Sequence, residues 1–115
     1  MAVTIYHNPR CSKSRQTLGL IEGKGIEPLV VEYLKTPPTR EKLKEILDKL
    51  GMRPRDLMRS KEAPYGQLGL DDPDLGDEEL IAAMVENPVL IERPIVLSGD
   101  KACLGRPPEN VIDIL

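Results

Sequence analysis

Residues 2–34 read AVTIYHNPRCSKSRQTLGLIEGKGIEPLVVEYL, and this stretch decides the fold. Ala2 to Tyr6 is short, β-branched and aromatic, the composition of a strand. Asn8-Pro9 stops it, because proline cannot donate to a ladder and favours a turn. A helix is expected to begin near Cys11 or Ser12, with Thr17, Leu18 and Ile21 on one face. Gly23 and Gly25 supply left-handed stop positions. Leu29 to Leu34 reads as a second strand, polar only at Glu32 and therefore expected to be buried on both faces. Strand, helix, strand in this order predicts a parallel crossover unit.

Downstream, Pro37 and Pro38 open a different region. Thr39 is a suitable N-cap, and Leu43, Ile46, Leu47 and Leu50 follow the i, i+3, i+4, i+7 rule of a helix that Gly51 ends. Pro54 fits the first turn of a short helix carrying Leu57, Met58 and Arg59. Lys61 to Gly76 reads as loop. Asp77, Glu78 and Glu79 suit a helix N-terminus, Leu80, Ile81, Met84 and Val85 give its apolar stripe, and Pro88 stops it. Ile95 to Leu97 is a strand, Ser98-Gly99-Asp100 a turn, and Lys101 to Leu104 an antiparallel return. Pro107-Pro108 start a last turn or helix whose Val111, Ile112 and Leu115 are expected on the core. The order is βαβ, a helical insertion over about 38–88, then ββα. With no repeat and no linker, the expectation is one domain over 1–115, an α/β protein with a thioredoxin-like (glutaredoxin-like) mixed sheet.

Size and composition bound the function. The 115 residues suffice for one modest core, and 40% hydrophobic with 30% charged residues argues against disorder. Phe and Trp are absent, so aliphatic side chains must build that core, and base stacking on aromatics has little to work with. A net charge of -3 makes general phosphate-backbone binding a poor fit, so no nucleic-acid partner is expected. No apolar run approaches a bilayer span, and Met1 to Tyr6 lacks the pattern of a signal peptide. A cytoplasmic protein without a membrane partner is expected, with a monomer as the starting assumption. Cys11 and Cys103 with a single histidine form no zinc-ligand set, so no metal is expected.

Cys11 stands where a strand gives way to a helix. Unpaired N–H groups and the helix dipole favour an anion there, and Arg10, Lys13 and Arg15 add positive charge. Such thiols ionise well below the usual value of about 8.5. Cys11 is thus a candidate nucleophile, against the alternative of a small buried hydrophobe. Ser14 occupies the position of the second cysteine in a dithiol Cys-x-x-Cys, so a second thiol must come from Cys103 or another molecule. Nothing around Cys103 favours its thiolate, which makes a structural role the better reading. His7 either tunes the thiolate or ends the strand. The Cys-x5-Arg loop of phosphatases is missing, because Thr17 and Glu109 stand where its arginine would be. Arginines distant in sequence must hold any oxyanion. Arg59, Arg93 and Arg106 are the candidates, since guanidinium forks bind oxyanions through paired hydrogen bonds. Two of them precede prolines, which fixes the backbone beside the charge. A cis bond is expected at Arg93-Pro94, facing the cysteine.

Tyr6-His7-Asn8-Pro9-Arg10-Cys11-Ser12-Lys13-Ser14-Arg15, with Tyr33-Leu34, Arg93-Pro94-Ile95-Val96 and Gly105-Arg106-Pro107-Pro108, resembles the arsenate reductase family that couples to glutathione and glutaredoxin. The resemblance runs over essentially the whole chain and points to the shorter subgroup. It implies a thioredoxin-like fold, arsenate as substrate, Cys11 as nucleophile, and Arg59, Arg93 and Arg106 as the oxyanion triad. It also implies that His7 lowers the cysteine's pKa, with Ser14, Arg15 and Pro94 supporting. No bound cofactor is implied; glutathione is a co-substrate and glutaredoxin the protein partner. Arg10-Cys11-Ser12-Lys13 departs from the small residues usual at this place in the best-studied branch.

Two other functions compete. A regulator of this fold that binds RNA polymerase and senses thiol stress would carry Cys-x-x-Cys, which Ser14 removes. A thiol transferase or iron–sulfur carrier would show Cys-Gly-Phe-Ser or Cys-Pro-Tyr-Cys, and this chain has neither.

Overall fold

A computed structural model describes residues 2–115. Two compact units make up the chain: the segment up to Thr36 together with Arg93–Leu115, and the intervening Pro37–Glu92. The first unit holds the four strands found among the described residues, β1 (Val3–His7), β2 (Leu29–Glu32), β3 (Ile95–Ser98) and β4 (Lys101–Leu104), with α1 (Ser12–Gly23) and a closing 3-10 helix at Pro108–Ile114. Their order across the sheet is β2-β1-β3-β4. β1 runs parallel to β2 and antiparallel to β3, and β3 is antiparallel to β4. The expected mixed sheet of the thioredoxin-like kind is therefore present, in βαβ and ββα halves.

Register explains which residues form the core. Ile5 pairs with Val96, and Val96 with Cys103, so the three project from one face of the sheet. Val3, Ile5 and Val96 pack there with Ile21 of α1 and Val111 of the 3-10 helix, and Cys103 is partly buried against them. β1 and β3 are central and largely buried, as a strand paired on both sides must be. β2 departs from expectation. It ends at Glu32 and lies at the edge, with Leu29 66% and Val30 42% exposed. An unbroken apolar run looks the same in sequence whether a strand is central or marginal, and only pairing decides. The closing helix carries a second correction: Val111 is fully buried, while Ile112 is 39% exposed.

The second unit is helical: α2 (Arg40–Leu50), α3 (Pro54–Leu57), α4 (Ala63–Gln67) and α5 (Asp77–Glu86), then a 3-10 turn at Pro88–Leu90. Thr39 caps α2, its Oγ1 accepting the Lys42 N–H at 3.1 Å, and Gly51 ends it at φ +67°. Leu43, Ile46 and Leu47 of α2 are buried, as are Leu80, Ile81 and Met84 of α5, and the two helices pack together. α4 falls inside the stretch expected to be loop. Pro64 starts it and Gly66 sits within it, a composition that hides so short a helix. Arg55 ties the following segment down, donating to Tyr65 Oη at 3.1 Å, Leu70 O at 2.8 Å and Asp72 O at 2.9 Å.

Candidate active site

The turn from β1 into α1 is specified by its own residues. The Asn8 side chain accepts the Arg10 N–H at 3.0 Å, and Asn8 O accepts the Cys11 N–H at 3.0 Å. Arg15, from the first turn of α1, donates to Pro9 O at 2.9 Å and clamps the same loop. Cys11 is then the N-cap of α1, extended at φ -95° and ψ 123°, and 8% exposed. Its thiol makes no cap hydrogen bond of its own, yet the first-turn N–H groups lie close enough to favour the thiolate. Burial is the largest single influence and pushes the Cys11 thiol up. The Ser14 N–H, the Arg93 guanidinium, the Lys13 N–H and the Arg106 guanidinium pull it down and together prevail, so it ionises below its ordinary value.

Ser14 is fully buried and serves twice. Its N–H favours the Cys11 thiolate, and its Oγ lies 2.6 Å from His7 Nδ1 while accepting the Asn8 N–H at 3.0 Å. His7 is buried at the end of β1, and burial chiefly holds its imidazole below the ordinary value. A neutral ring lends the thiolate no charge, and the groups that lower Cys11 do not include it. The contact observed for His7 runs to the first turn of α1 through Ser14.

Arg93 and Arg106 flank the β3–β4 hairpin and are tied to each other. Arg106 Nε donates to Arg93 O at 2.9 Å, and the Gly105 N–H donates to Pro94 O at 2.9 Å. The expected cis bond at Arg93-Pro94 is present, and Arg106-Pro107 is cis as well. Arg93 Nε and Nη1 are shut off from solvent. Gly105, quoted above only as part of the Gly-Arg-Pro-Pro motif, has a packing role that the motif does not reveal. A Cβ there would stand 2.5 Å from Thr17 Oγ1 and 2.7 Å from Pro94 Cγ, so only glycine lets β4 end against α1 and the Arg93-Pro94 turn. Its signal was a glycine standing directly before Arg106 at a strand end.

Arg59 belongs to the helical unit. It follows α3, and its N–H donates to Leu90 O at 2.7 Å beside a bridge between Met58 and Ile91. Its Nη1 donates to Glu62 Oε1 at 3.0 Å, and Nε lies 3.7 Å from Glu92 Oε1. These carboxylates were also passed over, although Glu62 stands three residues on, within reach in a turn. The sheet unit thus gathers Cys11, His7, Ser14, Arg15, Arg93, Pro94 and Arg106, and Arg59 is held by its own pair of acids. Cys103 is oriented inward, its Sγ 3.3 Å from Leu104 O, and burial with the Asp113 carboxylate pushes its thiol up. Among the described residues no cluster of His, Cys, Asp and Glu could hold a metal ion, and no helix is long and apolar enough to cross a membrane.

Residues 6–114, nearly the whole chain, match the model of the ArsC family. The chain belongs to the ArsC family. Within it, the chain is similar to an arsenate reductase of Haemophilus influenzae, 52% identical over the full length of both. It is also 55% identical to the uncharacterized protein YfgD of Escherichia coli K12, over 98% of this chain and 96% of that one. Among solved structures, an arsenate reductase from Vibrio cholerae superposes with a TM-score of 0.97 at 53% identity, covering 100% of this chain and 98% of that one. These ArsC relatives share the thioredoxin-like fold read above from strand order.

Proposed function

We propose that this ArsC-family protein is an oxidoreductase that reduces arsenate to arsenite through the Cys11 thiolate, with glutathione and glutaredoxin as reductants. The thiolate attacks arsenic and an oxygen leaves as water, giving a thiol-bound As(V). Arg93 and Arg106 hold the remaining oxygens as charge builds on them, with Arg59 as the third guanidinium on the strength of the resemblance. Glutathione then bonds to arsenic through its sulfur and displaces a second water. Glutaredoxin's thiolate attacks that sulfur, forming a mixed disulfide and leaving the electron pair on arsenic. Hydrolysis frees arsenite and returns Cys11. Two thiols have supplied two electrons, and the balance is arsenate plus two thiols giving arsenite, one disulfide and water.

The observation that carries the reading is the thiol at the head of α1 beside two arginines that favour its ionised form. Supporting it is the naming of full-length relatives at about half identity as arsenate reductases. Ser14 accounts for the need for outside thiols, since the dithiol alternative has no partner within a helical turn. Glutathione- and glutaredoxin-dependent arsenate reduction tests it. Cys11→Ser should abolish turnover and Cys103→Ser should leave it intact. Arg59→Lys, Arg93→Lys and Arg106→Lys should each raise KM for arsenate by roughly tenfold, since a point charge replaces a fork. Equal rates for the native chain and Cys11→Ser would end the reading.

A further inference from the structure

At the carboxyl ends of the parallel strands β1 and β2, the sheet unit opens into a cleft of about 370 Å³. His7 and Glu32, register partners on the last rung, stand on it with Arg10, Leu34 and Lys35. The carboxyl ends of parallel strands are where α/β sheets commonly receive ligands. Arg10 directly precedes Cys11, so the cleft adjoins the nucleophile without including it.

His7 is 6% exposed and nevertheless borders this cleft. Ser14 Oγ accepts the Asn8 N–H, and the only acceptor for its own proton among the described residues is His7 Nδ1 at 2.6 Å. A neutral imidazole that accepts at Nδ1 carries its proton on Nε2. Among the described residues no acceptor takes up that Nε2–H. That donor is not shut off from solvent, so water or a ligand can complete it. Around it are the exposed guanidinium of Arg10 and the Glu32 carboxylate, whose ion pair with Lys35 is long at 3.7 Å and mostly solvated. Donors for a carboxylate and an acceptor for an ammonium thus stand on one wall. A simple oxyanion would leave Glu32 facing a like charge, and a simple cation would face Arg10 and Lys35. A group that carries both charges satisfies the set.

We propose that this cleft binds the zwitterionic α-amino-acid end of a small thiol, its carboxylate on His7 Nε2 and Arg10 and its ammonium on Glu32. The γ-glutamyl end of glutathione is such a group. The inference rests on the thiol-dependent reduction proposed above and says where the reductant is seated.

The test is an NMR titration of the full native chain with S-methylglutathione, whose capped sulfur removes thiol exchange. Saturable shifts should appear at His7, Arg10, Glu32 and Lys35. Arg10→Ala and Glu32→Gln should each weaken binding roughly tenfold, the size of one charge-assisted hydrogen bond. N-acetyl-S-methylglutathione, which lacks the ammonium, should bind the native chain as weakly as S-methylglutathione binds Glu32→Gln. Shifts confined to other residues, or affinities unchanged in both variants, overturn the proposal. Arsenate turnover is followed on the same samples. Turnover without these shifts removes the cleft and leaves the reductase reading, whereas shifts without turnover leave the cleft and remove that reading.

Discussion

Cys11 and Cys103 are the same chemical group in opposed surroundings, and their titration should separate them. Cys11 is pushed up by burial but brought below the ordinary thiol value by two helix amides and two arginines, whereas Cys103 is pushed above it by burial and the Asp113 carboxylate. Iodoacetamide alkylation followed by peptide mass against pH should therefore give a midpoint for Cys11 below that for Cys103. Arg93→Gln should raise the Cys11 midpoint more than Arg106→Gln, because the Arg93 charge acts on it more strongly. Coincident midpoints for the two thiols would place Cys11 among ordinary cysteines. His7 offers a second titration. Its folded pKa lies below the unfolded value of 6.5, so between the two the unfolded chain binds the extra proton. The stability that neutral His7 contributes is complete above 6.5 and lost as pH falls through the lower folded value. Urea midpoints of the native chain should drop as the pH falls below about 6.5, and His7→Gln should flatten that drop. An identical slope in the variant would mean that other groups carry it. Cys11 and its basic neighbours were legible in the sequence because the strand–helix junction is itself a local pattern. The part played by His7 was not, since charge tuning and a bond to Ser14 leave the same letters in the chain.

α1 owes its placement to a face that starts with hydroxyls. Ser14, Thr17 and Ile21 are its buried residues, which is why its amphipathic signal is faint. Thr17 Oγ1 donates to Lys13 O at 2.8 Å, inside the helix, and also stands 3.4 Å from Gly105 O. Two glycines measure how tightly this element is fitted. Gly19 is exposed in the helix interior with open space where a Cβ would go, so Gly19→Ala should stabilise by about 0.5–1 kcal/mol. Gly105→Ala would drive a methyl into Thr17 and Pro94, and should destabilise by about 1–3 kcal/mol. It should also raise the Cys11 alkylation midpoint, because the strain falls between α1 and the turns that carry Arg93 and Arg106. Urea unfolding of the two variants checks the signs. A neutral Gly105→Ala would show that the junction has slack. The Arg-Pro pairs announced those turns in the sequence, but nothing in the letters gives the closeness of one backbone to a helix, which is a tertiary distance.

Across the molecule, sequence separation and sheet position are unrelated. β3 lies beside β1, although the whole of Pro37–Glu92 intervenes between the two halves of the sheet unit. Element types were largely legible from periodicity, caps and prolines, and the order βαβ then ββα was enough to name the fold. Strand position was not legible for β2: Leu29, Val30 and Val31 have the composition of a central strand and sit at the margin. A strand with neighbours on both sides has each N–H in one ladder or the other, whereas an edge strand leaves every second N–H open to solvent. An edge strand has one ladder and one side bare. β1 and β3 are each paired on both sides and deeply buried, with Ile5 and Val96 at 0% exposure, whereas β2 pairs with β1 alone. Native-state hydrogen exchange should therefore show the slowest amides in β1 and β3, exchanging at the rate of global unfolding, and faster exchange in β2. Protection in β2 equal to that of β1 would mean that the bare edge is covered in solution. A second copy of the chain adding to the sheet is the covering that concentration-dependent exchange would then reveal, because a bare apolar strand edge is a template for another strand.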